Sequence, residues 1–354
     1  MTEQTPAEQL QSELNQLEFE LDRLRADVRL TGIRDSVEDL QTTVQGLDRR
    51  IRALREKGYA FEKELEERAQ DFEQDWAELA PDIETQISRE SRNLELTMRP
   101  LEREAADLIG STDSSSTLLP KVKSLASRLE GLRDQAQAAE RSIRGMYDRF
   151  QNEINQTINH LKDLEWALTE LTEASFELLA TESVIMAVKA AWARGGKKDK
   201  DNPEGVLYLT DQRLLFEQKE KVATKKVLFI ATEKELVQEL LWEVPVELIQ
   251  EIKSSGAGFL KRGDYLEMSF DSRADLDNAQ VRIWQPGEIW VSLINRAKAR
   301  EFDQTRAIAL DQEVVEKVQQ APTQCESCGG AIDQVVLRGM DTITCEYCGT
   351  VIRL

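Results

Sequence analysis

Apolar residues recur along the first part of the chain at alternating intervals of four and three. Leu10, Leu14, Leu17, Leu21, Leu24 and Val28 form one series; after a break at "LTGIRD", Ile33, Val37, Leu40, Val44, Leu47, Ile51 and Leu54 form the next. A repeat averaging about 3.5 residues keeps one apolar seam turned toward a partner helix. The phase jump around Gly32 predicts a stutter or a short hinge. A second helical tract runs from Phe61 to Leu108, with Leu65, Phe72, Trp76, Leu79 and Ile83 on one side. Pro81 and Pro100 are expected to kink or interrupt it, because each lacks an amide donor and crowds the preceding turn. "GSTDSSSTLLP", residues 110–120, reads as a linker. The third tract carries Val122, Leu125, Leu129, Leu132, Ala136, Ala139, Ile143, Met146 and Phe150, then Ile154, Leu161, Leu164, Leu168 and Leu171. Residues 1–180 are thus expected to be coiled-coil helices, with breaks near 31–33, 57–60 and 110–120. The connections allow an antiparallel hairpin of helices, and the uncovered seams suggest a homo-oligomer.

The period changes at about Glu182. "VIMAVKAAWA" is a compact apolar run, and "GVLYLTDQRLLFE" alternates across a Thr-Asp turn as a β-hairpin does. "KKVLFIAT", "VQELLWEV", "DYLEMSF" and "QVRIW" are further strand candidates. After Pro286–Gly287, "EIWVSLINRAKAREF" reverts to helix, with Trp290 and Leu293 on its apolar face. Six or seven strands and one closing helix predict a small barrel or sandwich over 181–302. Residues 303–321 are expected to be a helical linker, and Pro322 to release a tethered tail.

That tail, 322–354, holds every cysteine of the chain: Cys325, Cys328, Cys345 and Cys348, spaced C-x2-C-x16-C-x2-C. Two tight turns of this kind aim four thiolates at one point, a set that suits tetrahedral Zn²⁺. Disulfides would need an oxidising compartment. "MTEQTPAEQLQSEL" has neither the basic start nor the apolar run of a signal peptide. A thioredoxin-like pair would use a single C-x-x-C. Iron held by four sulfurs shares the same knuckles, and spacing alone leaves it open. The stretch resembles the zinc-ribbon family, with "AIDQVVL", "DTITC" and "GTVIRL" as its short strands. One structural zinc is expected, with no open coordination position for catalysis.

A second resemblance rests on "GVLYLTDQRLLF", Gly205 to Phe216, and on "WEVPVELIQEI", Trp242 to Ile252. These are similar to the strand–Thr-Asp turn–Arg–strand signature and the following element of GRAM and bacterial pleckstrin-homology-like (PH-like) domains. The resemblance implies a seven-stranded barrel capped by a C-terminal helix, and a binding module for lipid headgroups or proteins. The expected fold class is therefore multi-domain α + β: a long helical coiled coil, a PH-like β domain and a small zinc ribbon.

Charge narrows the function. The chain carries 46 basic and 66 acidic residues, a net −20, and one histidine. That balance disfavours nucleic acid, whose binding depends on a local Lys/Arg excess. The tail is itself acidic, with Glu326, Asp333, Asp341 and Glu346 against Arg338 and Arg353. No apolar run is long enough to span a membrane. Three basic clusters read first as ordinary solubilising loops, diluted by Asp199, Asp201, Glu204, Glu217 and Glu220, and would contact an anionic surface if they project from one rim: Lys197, Lys198 and Lys200; Lys221, Lys225 and Lys226; Lys261 and Arg262. Phe259 and Leu260, beside the last pair, would insert into an interface. "SSGAGFLKRG" fails the phosphate-loop pattern. His160 reads as a solvated helix side chain, and no nucleophile, acid–base pair or open metal site is evident. A non-catalytic cytoplasmic scaffold or adaptor, peripheral to the membrane, is expected. Its oligomeric state would be set by the coil, and its docking on a protein or membrane by the β domain and ribbon. Two alternatives are a peripheral membrane-remodelling or envelope-stress protein and a nucleic-acid- or transcription-associated factor acting through the ribbon.

Overall fold

A computed structural model describes residues 5–195, 202–227, 230–256 and 263–354. The chain divides into two compact units, Met1–Asp48 with Glu67–Ile158, and Arg49–Glu66 with Asn159–Leu354. Its helices are α1 (Pro6–Val28), α2 (Thr31–Glu56), α3 (Glu64–Ile109), α4 (Ser115–Thr172), α5 (Gly287–Lys298), α6 (Glu301–Gln304) and α7 (Gln312–Gln320).

The first unit is a helical bundle. Thr5 opens α1 with a capping box: its hydroxyl accepts from the Glu8 amide at 3.3 Å, and the Glu8 carboxylate accepts from the Thr5 amide at 2.8 Å. Pro6 follows at the first helical position, where its missing donor costs nothing. The break expected near 31–33 falls at Arg29–Leu30, between α1 and α2. Leu30 adopts a left-handed φ of 55°. That conformation costs about 1 to 2 kcal/mol, and the complete burial of the Leu30 side chain offsets it.

Cross-contacts fix the helix directions. Glu13 and Asp27 of α1 lie 3.9 and 4.0 Å from Lys123 and Arg133 of α4, so these two run parallel. Arg25 pairs with Glu102 of α3 at 2.8 Å, and Glu104 pairs with Arg128 of α4. Further along, Phe150 of α4 packs between Phe72 and Trp76 of α3, making α3 antiparallel to α4. The seam is therefore closed within one chain: Leu21, Val28, Val37 and Val44 are buried, as are Phe72, Ile83, Leu94, Leu101 and Leu108, and Val122, Leu129, Ala136, Ile143 and Ile154.

Three expectations need correction here. Helix α3 continues through Pro81 and Pro100. Both prolines sit on its exposed face, where water solvates the freed carbonyls. The cost of about 3 kcal/mol each is outweighed by a seam whose buried large side chains contribute about 1.5 to 3 kcal/mol apiece. In α4 the heptad position goes to fully buried Tyr147, and Met146 is 38 % exposed. The 110–120 linker is also shorter than expected, because α4 begins at Ser115 and takes in Pro120.

In the second unit, β1 (Val184–Trp192), β2 (Glu204–Thr210), β3 (Arg213–Val227), β4 (Ile230–Pro245), β5 (Ile249–Gly256), β6 (Asp264–Phe270) and β7 (Asn278–Ile283) form one antiparallel sheet. Its order is β4-β3-β2-β1-β7-β6-β5. Among the described residues no ladder joins β4 to β5, so the expected barrel is an open sheet by pairing. "KKVLFIAT" is no strand of its own; it spans the end of β3 and the start of β4 and includes 228–229, outside the described residues. Strand β5 escaped the alternation pattern altogether. One face of the sheet buries Leu207, Leu209, Phe216, Leu266, Val281 and Ile283 together with Trp290, Ile294 and Ala297, the apolar side of α5. The other face, around Ala187, Val206, Tyr208 and Leu215, packs against Ala167, Trp166 and Leu171 at the end of α4.

Candidate metal centre and the surfaces around it

Two knuckles with matching geometry bring the four cysteines together. In the first, the Gly329 amide donates to the Cys325 carbonyl at 2.7 Å and the Cys325 amide to the Gly330 carbonyl at 2.8 Å. In the second, Gly349 donates to Cys345 at 2.8 Å and Cys345 to Thr350 at 2.9 Å. Gly329 and Gly349 share a φ of +73°, a conformation that β-carbon-bearing residues resist. All four Sγ atoms lie within 4.8 Å of one another, with Cys325–Cys348 and Cys328–Cys345 each at 3.7 Å. A tetrahedral ion with metal–sulfur bonds of about 2.3 Å sets its sulfurs about 3.8 Å apart, so the donor set is compatible with one such metal. The thiols are electrostatically unlike. The Thr350 hydroxyl and amide hold Cys348 down to about 6. Cys328, despite a backbone hydrogen bond at Gly330 that lowers it, is pushed up to about 12 by its neighbour Cys348. Sulfurs this close resist ionising together until a cation balances them.

The ribbon is not tethered. Strands β8 (Thr342–Thr344) and β9 (Val351–Arg353) pair with each other, whereas the "AIDQVVL" segment expected to join them turns toward the large sheet. Leu337 forms an antiparallel bridge with Leu179. The Ala180 amide donates to the Val336 carbonyl and the Arg338 amide to the Leu178 carbonyl, both at 2.9 Å. The Arg338 guanidinium also donates to the Glu182 carbonyl, and Lys317 of α7 pairs with Asp341 of the ribbon at 2.8 Å.

Glu182 is the hub beneath this contact, and the Thr-Asp-x-Arg signature is built around it. Its fully buried carboxylate accepts from the Thr210 hydroxyl at 2.6 Å, the Leu179 amide at 2.8 Å and the Arg213 guanidinium at 2.6 and 3.0 Å. Arg213 also reaches Glu243 at 2.6 Å and the Glu177 carbonyl at 3.0 Å. Asp211 accepts from the Ser183 amide at 2.8 Å and pairs with Arg306. Burial raises Asp211 to about 6, although Ser183 and Arg306 both pull it down. Arg306 in turn stacks over Phe61 at 4.7 Å, and the Ala307 amide donates to the Ala60 carbonyl at 2.8 Å. The signature is thus a structural staple with its polar groups satisfied internally. Gly205, which opens it, is required by crowding: a β-carbon there would lie 1.9 Å from the Glu217 carbonyl oxygen. Sequence reasoning missed Glu182, which looks like any other of 66 acidic residues.

His160 is also differently placed than expected. Its Nε2 lies 2.7 Å from the Glu62 carboxylate, so the half-exposed ring is a partnered side chain and not a freely solvated one. Against a burial that would raise it, this contact lowers the Glu62 carboxyl.

Of the basic residues, Lys197, Lys198, Lys200, Lys261 and Arg262 lie outside the described residues, as do Phe259 and Leu260. Lys225 and Lys226 belong to β3, opposite Glu233 and Ala231 of β4. Lys221 is exposed, opposite Leu236. The strands flanking all three clusters share one end of the sheet. Ala190 of β1 faces Gly205 of β2 and Ile283 of β7. Ile283 faces Asp264 of β6, which faces Gly256 of β5. Gly205 also faces Gln218, beyond which β3 runs on paired with β4 alone. The ribbon contacts Leu178–Glu182, before β1 starts, and so lies at the other end.

Among the described residues no helix is long and apolar enough to cross a membrane. No family model matches the sequence, and no curated protein matches it. Among solved structures, the crystal structure of the DH/PH domains of p115-RhoGEF aligns over 83 % of this chain and 92 % of that one, at 13 % identity and a TM-score of 0.20, too low to support an argument.

Proposed function

We propose that the chain is a non-catalytic cytoplasmic adaptor. In this reading the PH-like β domain docks on an anionic membrane surface through its basic end, and the ribbon, folded around one structural zinc held by Cys325, Cys328, Cys345 and Cys348, presents a protein-binding module at the opposite end. The observation that carries the reading is the strand register: the strands flanking the three basic clusters leave the sheet at one end. Each Lys or Arg near an anionic leaflet contributes about 1 kcal/mol, so several acting together suffice for reversible attachment. The bundle supplies reach, and the satisfied Glu182–Arg213 staple gives the ribbon a fixed place on the sheet.

Flotation of the full chain with neutral and phosphatidylserine-containing vesicles tests this. Co-flotation with the anionic vesicles, weaker at physiological than at low salt, is the expected result. Charge reversal of the lysines and arginine at 197–200, 221–226 and 261–262 should abolish it. Absence of flotation at either salt, or flotation indifferent to the reversal, overturns the membrane reading.

A further inference from the structure

The chain has one histidine, and it sits where three segments meet. The α2–α3 loop, residues 57–63, buries Tyr59, Ala60 and Phe61. On one side it is tied to the segment that follows α5. The Lys63 amide donates to the Thr305 carbonyl at 2.9 Å, the Lys63 ammonium to the Gln304 carbonyl at 3.0 Å, and the Ala307 amide to the Ala60 carbonyl at 2.8 Å. Phe61 meets Phe302 edge to face at 5.6 Å. On the other side the loop meets α4, where His160 reaches the Glu62 carboxylate. Glu62 is held at a left-handed φ of 55°, a conformation that residues with a β-carbon adopt at a cost. The loop therefore keeps its shape only through its contacts.

Most of those contacts do not change with pH near neutrality. Arg55 donates to the Tyr59 and Glu62 carbonyls at 3.0 and 2.8 Å and to the Glu66 carboxylate at 2.7 Å, and it stays charged throughout. Burial and the Glu62 charge keep the Tyr59 phenol neutral. Arg296 of α5 is a cationic neighbour of Glu62 and Tyr59 and is engaged with Glu301 at 3.3 Å. On α4 itself, burial raises the Asp163 carboxyl and His160 draws it down. Beyond Phe61, Arg306 pairs with Asp211 and lies 3.8 Å from Asp303. Two of these groups titrate near neutrality: the imidazole, ordinarily at about 6.5, and Asp211, which burial raises to about 6.

The geometry points to a pH-sensitive clasp: protonation of His160 turns its hydrogen bond with Glu62 into an ion pair and tightens the α2–α3 loop onto α4 and residues 302–308, and loss of that proton loosens it. Glu62 stands 2.7 Å from the imidazole in the folded chain and has no fixed place beside it in the unfolded one. The folded chain therefore holds the imidazole proton more firmly. This contribution is fully present below about pH 6.5 and is lost as pH rises above that value. Glu62 sets the opposite limit. Burial would raise its carboxyl, but His160, with Tyr59 and Arg296, outweighs burial and holds it low. Its share is present above about pH 4.3 and is lost as pH falls below. The clasp is tightest in mildly acidic solution, and it depends on neither the membrane reading nor the ribbon.

A single histidine gives a single imidazole signal, so NMR titration of the full chain follows it directly. Its midpoint should lie at higher pH in the native chain than in Glu62→Gln. The second measurement is hydrogen exchange at the Lys63 and Ala307 amides, corrected for the intrinsic rate. Protection at both should fall about threefold to tenfold from about pH 5.5 to about pH 7.5, the range that a proton bound up to about tenfold more tightly allows. His160→Gln keeps a nitrogen that donates to Glu62 but cannot ionise. In that variant the fall should shrink to what Asp211 contributes. Equal midpoints in the native and Glu62→Gln chains overturn the proposal. So does an equal fall in protection in the native and His160→Gln chains, which would assign the pH dependence to the Asp211–Arg306 pair. Unchanged circular dichroism establishes that the variants fold, and should Glu62→Gln not fold, the His160→Gln comparison decides alone.

Discussion

The helical bundle and the ribbon solve the same problem of stability with opposite means. Along α3 and α4 the seam buries a large side chain at nearly every heptad position, from Phe72 to Leu108 and from Leu118 to Ile154. In 323–354, among the described residues, Ile343 is the one buried aliphatic side chain, accompanied by the cysteines Cys325 and Cys345. A segment that small cannot remove enough apolar surface from water to offset its chain entropy. What it has instead is a cluster of four cysteine sulfurs at its centre and hydrogen bonds at its edge. The bundle is therefore expected to tolerate the loss of any one contact, while the ribbon depends on four sulfurs acting as a set.

The largest effect should come from striking that set. Replacement Cys345→Ser, or treatment with a strong chelator, is expected to unfold the ribbon, since structural zinc supplies on the order of 10 to 16 kcal/mol in domains of this size. Elemental analysis should fall from one zinc per chain to none. Hydrogen exchange should show the Cys345 and Gly349 amides losing protection while the amides of 122–154 keep theirs. A ribbon that stays protected without metal would mean that its contacts with Leu178–Glu182 hold it by themselves, and iron in place of zinc would correct the ion while leaving the contrast intact.

The bundle's side of the contrast is sharpened by a smaller cut. Leu129 is fully buried in the α4 seam, and Leu129→Ala should cost about 2 to 5 kcal/mol in urea unfolding, the transfer free energy plus the cavity left behind. Zinc content should remain at one per chain. A cost near zero would show that the seam closes around the gap, and that the heptad register is less specific than its burial implies.

What could be read in advance follows the same division. Periodic burial is a local, repeated signal, so the three helical tracts, the strands β1, β2, β6 and β7, and the apolar face of α5 were legible from spacing alone. The cysteine clustering was legible too, because ligand spacing is set by turn geometry within a few residues. Long-range choices were not. Pro81 and Pro100 read as breaks because a local rule cannot know that the seam beneath them is deep. Tyr147 displaced Met146 because the heptad shifts within α4. "AIDQVVL" has the alternation of a strand but carries no mark of which sheet it joins. Its partner is Leu179, far away in sequence, and the selection is made by Glu182 and Arg338, whose side chains look like ordinary surface charges until they are seen together.

The smallest predicted effect tests the staple that holds these long-range choices in place. Asp211 is buried enough to bring its carboxyl up to about 6, with Arg306 and Ser183 only partly offsetting the cost of charge in that site. In the unfolded chain the same group titrates near the usual value of about 3.9. Between about pH 4 and pH 6 the folded chain therefore holds a proton that the unfolded chain has released. Stability rises with pH only where the unfolded state binds more protons; here the folded state binds more. The contribution of Asp211 is thus fully present below about pH 4 and is lost as pH rises through about 6, a change of about 2 to 3 kcal/mol. Asp211→Asn cannot titrate, yet its side-chain oxygen can still accept from Ser183. Urea unfolding of both chains across pH 4 to 7 should show the native chain losing ground to the asparagine variant as pH rises. A constant gap across that window would mean that the Arg306 ion pair fully compensates burial, making the link between the β2–β3 turn and Arg306 a strong ion pair and not a strained one.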